Sequence, residues 1–280
     1  MTIPDYGAPP CDEAMFRRPS ASRVSHLLVG GGRDAYEADT NLRDQLLDAF
    51  PGLEAAARIG RIHRTLTARH LAQRGYRQFL DLGCGYPAPY PNDPDIHLLI
   101  HPLHPGATVV YVDADRVALA HARAWAGGAA GVHHVLADLR RLPDLLDDIE
   151  EITGGTLRRD VPIAVLTHDV RPWIPGSDAD LALTRLRAWL PVGSALSITH
   201  ATADFGQEVM SKLTSAYEEA GIHFLPRPRA VIAGMFGDWA QQGPGLQPVA
   251  RWHADHPDKA APELASAAWA GIAVKPSGRP

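Results

Sequence analysis

The sequence predicts an α/β fold: a doubly wound, mostly parallel sheet with helices on both faces. Two observations carry this expectation. Five short apolar runs, QFLDLGCG (78–85), TVVYVDAD (108–115), VHHVLADL (132–139), PIAVLTHDV (162–170) and ALSITHAT (195–202), read as buried strands, most of them ending in glycine or an acid. Helix-length segments separate most of them, so successive strands cross over in the same sense and lie parallel. Two closing runs, GLQPVARWHA (245–254) and AAWAGIAVK (267–275), bring the expected sheet to seven strands.

Taken in order, residues 1–20 hold Pro4, Pro9, Pro10 and Pro19 with little periodicity, and read as an extended arm. Gly30-Gly31-Gly32 marks a turn. Leu42, Leu46, Leu47 and Phe50 follow helical spacing up to Pro51-Gly52, which ends a first helix. A second helix, over about 53–73, carries Leu53, Ala57, Ile62, Leu66 and Leu71, and its arginines Arg58, Arg61, Arg64 and Arg69 read as a solvated outer face. Further helices are expected over 118–125, 141–151, 178–190, 204–220 and within 229–240, with a polar surface loop at 255–266. Residues 1–75 thus form an arm and helical cap, a candidate lid, over a sheet domain at 76–280, the two making one compact unit.

Composition narrows the function classes. With 280 residues, 45% hydrophobic, 21% charged and a net charge of -5, the chain is ordinary globular protein rather than disordered. Mild acidity argues against a nucleic-acid partner, and the helical arginines lack interleaved aromatics. Two cysteines, Cys11 and Cys84, make neither a disulfide framework nor a thiolate zinc site. His97, His101 and His104 lack a completing ligand, and Pro102 breaks the helix between them, so no metal is expected. No apolar run approaches the roughly 20 residues of a membrane helix, which points to a cytoplasmic protein without a membrane partner.

The chemistry gathers at strand ends, where open parallel sheets bind ligands. Asp81-Leu82-Gly83-Cys84-Gly85 follows the first strand, and its glycines let the backbone turn sharply and approach a ligand. The third glycine of a dinucleotide fingerprint is absent, with Ala88 near its place, so no pyrophosphate cradle is formed. Asp81 suits a cationic ligand group better than a phosphate. Asp113 ends the second strand, where a carboxylate can accept both hydroxyls of a ribose, or else cap a helix as Asp115 can. Asp138 follows the third strand, within reach of an adenine amino group. Three acids at three successive strand ends predict a nucleoside-type ligand. His168 and Asp169, ending the fourth strand, stand where a general base is needed, or form a capped turn; Trp173 behind them can wall an apolar substrate.

With these residues the chain resembles the S-adenosylmethionine-dependent class I methyltransferases. More narrowly it resembles an actinobacterial methyltransferase-like family formerly described as a domain of unknown function. The resemblance runs through PSASRV (19–24), GGGRDAYEAD (30–39), GYRQFLDLGCGYPA (75–88), VVYVDADRVALAHARA (109–124), ADLR (137–140), GSALSITHATAD (193–204), PGLQPVARW (244–252) and AWAGIAVKP (268–276). It implies a Rossmann-like methyltransferase fold and S-adenosyl-L-methionine as cofactor. It also implies that Asp81, Gly83 and Gly85 hold the methionine moiety, Asp113 with Ala114 the ribose, and Asp138 with Leu139 the adenine, His168 lying alongside. Departures from the family pattern are Cys84 in place of threonine, Ser25-His26-Leu27 in the N-terminal segment, an extra residue before Arg33, and Thr167–Trp173 after the fourth strand. They cluster where an acceptor would sit. The expected function is methyl transfer to a small molecule of secondary metabolism, by a chain free to act as a homodimer. Two alternatives stand beside it. One is use of S-adenosylmethionine itself as substrate, by cyclisation or lysis that releases methylthioadenosine, with His168, Asp169 or Tyr36 as base; the other is a non-catalytic S-adenosylmethionine-binding regulator.

Overall fold

The computed structural model describes residues 16–32, 34–87, 94–176, 178–252 and 265–277. Most of the expected N-terminal arm, Arg33, Ala88 and most of the 255–266 loop lie outside these residues. Before the sheet come helices α1 (Ala21–Leu28), α2 (Glu37–Ala49) and α3 (Leu53–Gln73). Strand β1 (Gln78–Leu82) leads through α4 (Ile96–Ile100) to β2 (Thr108–Asp113), α5 (Arg116–Ala126) and β3 (Val132–Leu136). Then follow α6 (Leu142–Thr153), β4 (Ala164–His168), α7 (Asp178–Trp189), β5 (Ala195–Ala201), α8 (Gln207–Glu219) and α9 (Arg229–Gly234). Short strands β6 (Ala240–Gln241) and β7 (Gln247–Pro248), a turn of helix α10 (Val249–Trp252) and the long β8 (Ala268–Val274) close the chain.

The sheet has eight strands in the order β3-β2-β1-β4-β5-β8-β6, with β7 also paired to β8. β1 to β5 pair in parallel, and β8 returns antiparallel along β5. The order reverses between β1 and β4, so their carboxyl ends diverge and open a crevice. Side chains alternate across the pleat. Leu80, Val110, Val112, Val165 and Leu196 face one core with α6, α7 and α9. Phe79, Val109, Tyr111, Ala164 and Leu166 face the other, with α3, α4 and α10. A third cluster joins Val24, Leu28, Leu42, Leu46 and Phe50 of the N-terminal helices to Met210, Leu213 and Tyr217 of α8, which holds α1 and α2 above the crevice.

Helix ends follow their sequence signals. Asp115 caps α5 by accepting from the backbone N–H of Val117 and Ala118, and Gly127 and Gly154 end α5 and α6 in left-handed conformations. Three sequence expectations change. The closing run 245–254 is a two-residue strand followed by α10, because Pro248 has no N–H to extend the ladder and the chain turns Trp252 under α3. The helix within 229–240 stops at Gly234, and Ala240–Gln241 adds an eighth strand. The arginines of α3 do not form one solvated face: Arg64 is buried and Arg61 largely so, while Arg58 is exposed. No helix among the described residues is long and apolar enough to cross a membrane.

Candidate active site

A cavity of about 450 Å³ lies outside the carboxyl ends of β1 to β4, roofed by α1 and α3. Its floor is the turn after β1. Gly83 and Gly85 have φ values of 72° and 64°, and Gly83 and Cys84 both donate to the carbonyl of Val112. A side-chain carbon on Gly83 would fall 2.3 Å from Cγ2 of Val170, so glycine there lets the β1 and β4 turns touch. At Gly85 nothing lies within 4 Å of that position, which faces open cavity.

Asp113, at the tip of β2, is nearly buried. Its Oδ2 accepts from the N–H of Gly85 and its Oδ1 from that of Asp115, both at 2.8 Å. Burial pushes its carboxyl pKa up, and the two N–H donors oppose that. Each oxygen keeps a second lone pair for a ligand hydroxyl. Asp138 and Leu139 line the cavity after β3. Asp138 is held by the backbone and guanidinium of Arg140, whose hydrogen bonds keep its pKa low.

The β4 end supplies the acid–base groups. Asp169 adopts φ 54°, unusual for a residue with a side chain, and its N–H is fixed by the carbonyl and hydroxyl of Thr199 at 3.2 and 2.9 Å. Asp169 lines the cavity and is exposed to solvent there, although many protein atoms crowd the region around its carboxyl. Burial raises its pKa to about 6, and a hydrogen bond with Thr199 works the other way. His168, beside it, also lines the cavity but turns Nε2 to the Ser197 hydroxyl at 2.8 Å. Trp173 walls the cavity, wedged against Tyr217 and Phe224.

Two expected site residues lie elsewhere. The carboxylate of Asp81 is buried beneath the turn and accepts from both Nε and Nη2 of Arg64, so it does not line the cavity. The pleat decides this, because Asp81 points to the α3 side of the sheet with Phe79. Burial opposes the charge of Arg64, but Asp81 holds its pKa above the ordinary value. Tyr36 begins α2, where its N–H donates to Asp39 and its ring meets Phe16 and the Arg23 guanidinium. It is not among the residues lining the cavity. Gly83, Gly85, Asp113, Ala114, Asp138, Leu139, His168 and Asp169 all line it together.

Sequence reasoning missed His26, Arg61 and Arg64, which line the roof. The His26 ring stacks on Tyr86 at 4.7 Å, and its pKa falls to about 4 through burial and nearby Arg61. Gly31 lies so close that a side-chain carbon there would overlap the His26 ring. Arg61 donates to the carbonyl of Tyr86 and lies 3.6 Å from Asp95. The signal for the arginines was their i, i+3 spacing, which puts both on one helix face.

The profile of the S-adenosyl methyltransferase family matches residues 11–276. The chain belongs to that family. It is an S-adenosylmethionine-dependent methyltransferase. A DUF574 family protein from Streptomyces avermitilis is 26% identical over 93% of this chain and 99% of its own, with a TM-score of 0.85. A protein of Thermobifida fusca assigned as a methyltransferase is 29% identical over 96% of this chain and 99% of its own, with a TM-score of 0.84. An O-methyltransferase family protein from Burkholderia thailandensis, 16% identical over 82% of this chain and 62% of its own at a TM-score of 0.51, shares the fold. No curated protein matches the chain. The cavity suits the family's cofactor. Gly85 leaves open the space a side chain would fill, Asp113 retains acceptor capacity at the second strand end, and about 450 Å³ lies within the range of small-molecule sites.

Proposed function

We propose that this methyltransferase alkylates a small-molecule acceptor held under α1 and α3, with Asp169 as the group that accepts its proton. The observation that carries this reading is the placement of Asp169 in the cavity wall at the end of β4, on a strained backbone and with a pKa raised to about 6. A carboxylate tuned close to neutral pH combines an ionised fraction with useful basicity. Bound S-adenosylmethionine supplies a methyl group already activated on a sulfonium. The protein's part is therefore alignment, exclusion of water and management of one proton.

In this reading Asp113 accepts the ribose hydroxyls, the Gly83–Gly85 turn lies along the methionine portion, and Asp138 and Leu139 border the adenine. His168 is a positioning residue, because its Nε2 is committed to Ser197. Trp173, Val29 and Ile174 give the acceptor lobe apolar walls. Cofactor and acceptor share one cavity of about 450 Å³, which favours a small acceptor. Incubation with S-adenosylmethionine tests the reading. Methyl transfer predicts S-adenosylhomocysteine formed in dependence on an added acceptor. Methylthioadenosine appearing without acceptor would instead assign a cyclase or lyase, and binding with no turnover under any condition would assign a regulator.

A further inference from the structure

We propose that the acceptor is an amine that enters as its ammonium ion, with an apolar or aromatic body, and that Asp169 is the group that selects it. This names the substrate class of the site above and rests on that reading.

The charges around the cavity are nearly all committed. Arg64 pairs with Asp81, Arg61 lies 3.6 Å from Asp95, and Arg140 holds Asp138. Asp113 spends one lone pair of each oxygen on a backbone N–H. Asp169 differs: Thr199 is its hydrogen-bonding partner, and among the described residues no Arg, Lys or His forms an ion pair with it. Each of the three guanidiniums is thus matched to an aspartate, which leaves Asp113 and Asp169 as two lining carboxylates with no cationic partner. S-adenosylmethionine brings a net charge of one positive, from sulfonium, ammonium and carboxylate together. One negative charge remains in the cavity wall, where a cationic ligand would find a carboxylate that no protein cation has neutralised.

The local shape agrees. A side-chain carbon on Gly60 of α3 would lie 3.3 Å from Oδ2 of Asp169, so the carboxylate faces bare helix backbone that only glycine leaves clear. Trp173, Leu28, Val29 and Ala57 line the same cavity and suit an apolar body, with the indole ring also able to attract a cation. An alcohol or phenol acceptor fits less well. Neutral as it enters, it leaves the Asp169 carboxylate without a counter-charge, since the nearby guanidiniums already serve other aspartates.

The chemistry balances without a further reactant. The ammonium N–H bond breaks and its proton passes to the Asp169 carboxylate. The freed nitrogen lone pair forms the C–N bond to the methyl carbon as the C–S bond breaks. Sulfur keeps that electron pair and leaves as the neutral thioether of S-adenosylhomocysteine, while the product is a methylated ammonium ion. Asp169 then releases its proton to solvent.

The test uses the whole chain saturated with S-adenosylhomocysteine, into which 2-phenylethylamine, 2-phenylethanol and 3-phenylpropionate are titrated by calorimetry. The amine is expected to bind at least about tenfold more tightly than the alcohol, with the carboxylate weakest, because a charge-assisted hydrogen bond outweighs a neutral contact. Asp169→Asn should abolish the amine preference while S-adenosylhomocysteine affinity stays within about twofold; Asp169→Glu, which keeps the charge, should retain a preference. Equal affinity for amine and alcohol, or no binding of the amine, would overturn the proposal. So would a loss of about tenfold or more in S-adenosylhomocysteine affinity in Asp169→Asn, which would assign the carboxylate to the cofactor's own ammonium group. Failure of the wild-type chain to bind S-adenosylhomocysteine would count against the methyltransferase site itself, and is read separately.

Discussion

At the scale of single residues, Asp169 concentrates the consequences of the site. As a general base it must be ionised, so the rate should rise with pH through about 6 and level off above it. Asp169→Asn should lower kcat by about 10²–10⁴-fold, measured under saturating acceptor. The same residue should weaken the fold. Its carboxyl pKa moves from an ordinary 3.8 when unfolded to about 6 when folded, so the native state binds the extra proton between those values. Stability therefore falls as pH rises from about 4 to about 6 and stays reduced above. Asp169→Asn removes that penalty, and its Tm should exceed wild type above about pH 6 and converge with it below about pH 4. A thermal scan across pH checks the sign. The sequence showed His168 and Asp169 as a pair at a strand end, but not which would face the ligand. Thr199 and Ser197, on the neighbouring strand, divide their roles.

At the scale of elements, the strands were legible because parallel strands buried on both faces are continuous apolar runs, and the bounds of α3 were legible from its apolar period and flanking glycines. What α3 does was not. Arg58, Arg61, Arg64 and Arg69 look alike along the chain, yet Arg64 meets the buried Asp81, 17 residues away, a contact that exists only once the helix lies across β1. This pair ties the roof to the floor of the cavity. Arg64→Ala leaves Asp81 charged and buried, and should cost about 3–5 kcal/mol in denaturant unfolding. The double variant Arg64→Met/Asp81→Leu, which removes both charges, should recover most of that loss. Gly83→Ala should also destabilise the chain, by about 1–2 kcal/mol for the left-handed backbone alone, since its new carbon also meets Val170.

At the scale of the whole molecule, the fold places a ligand site where strand order reverses, and then uses helices from before the sheet to enclose it. The sheet was readable from pattern, except at its edge. There β6 and β7 are two residues each, too short to leave a periodic signal, and they are fixed by pairing with β8. That Gly83, Gly85, Asp113, Ala114, Asp138 and Leu139 line one cavity was readable because they lie in turns directly after strands, whereas the pleat turns Asp81 away from it. The roof was not, because His26, Arg61 and Arg64 reach the site through helix packing with the sheet and with α8. Net charge decided little, whereas the pairing of individual charges decided much. On the proposed reading, the crevice beyond β1 and β2 holds S-adenosylmethionine through Asp113. Calorimetric titration of S-adenosylmethionine into wild type and Asp113→Ala tests it most directly. Saturable one-to-one binding to wild type is expected, and affinity weaker by about 1–3 kcal/mol, or about 5- to 150-fold, in the variant. Equal affinity in the two proteins, with the variant folded, would contradict it.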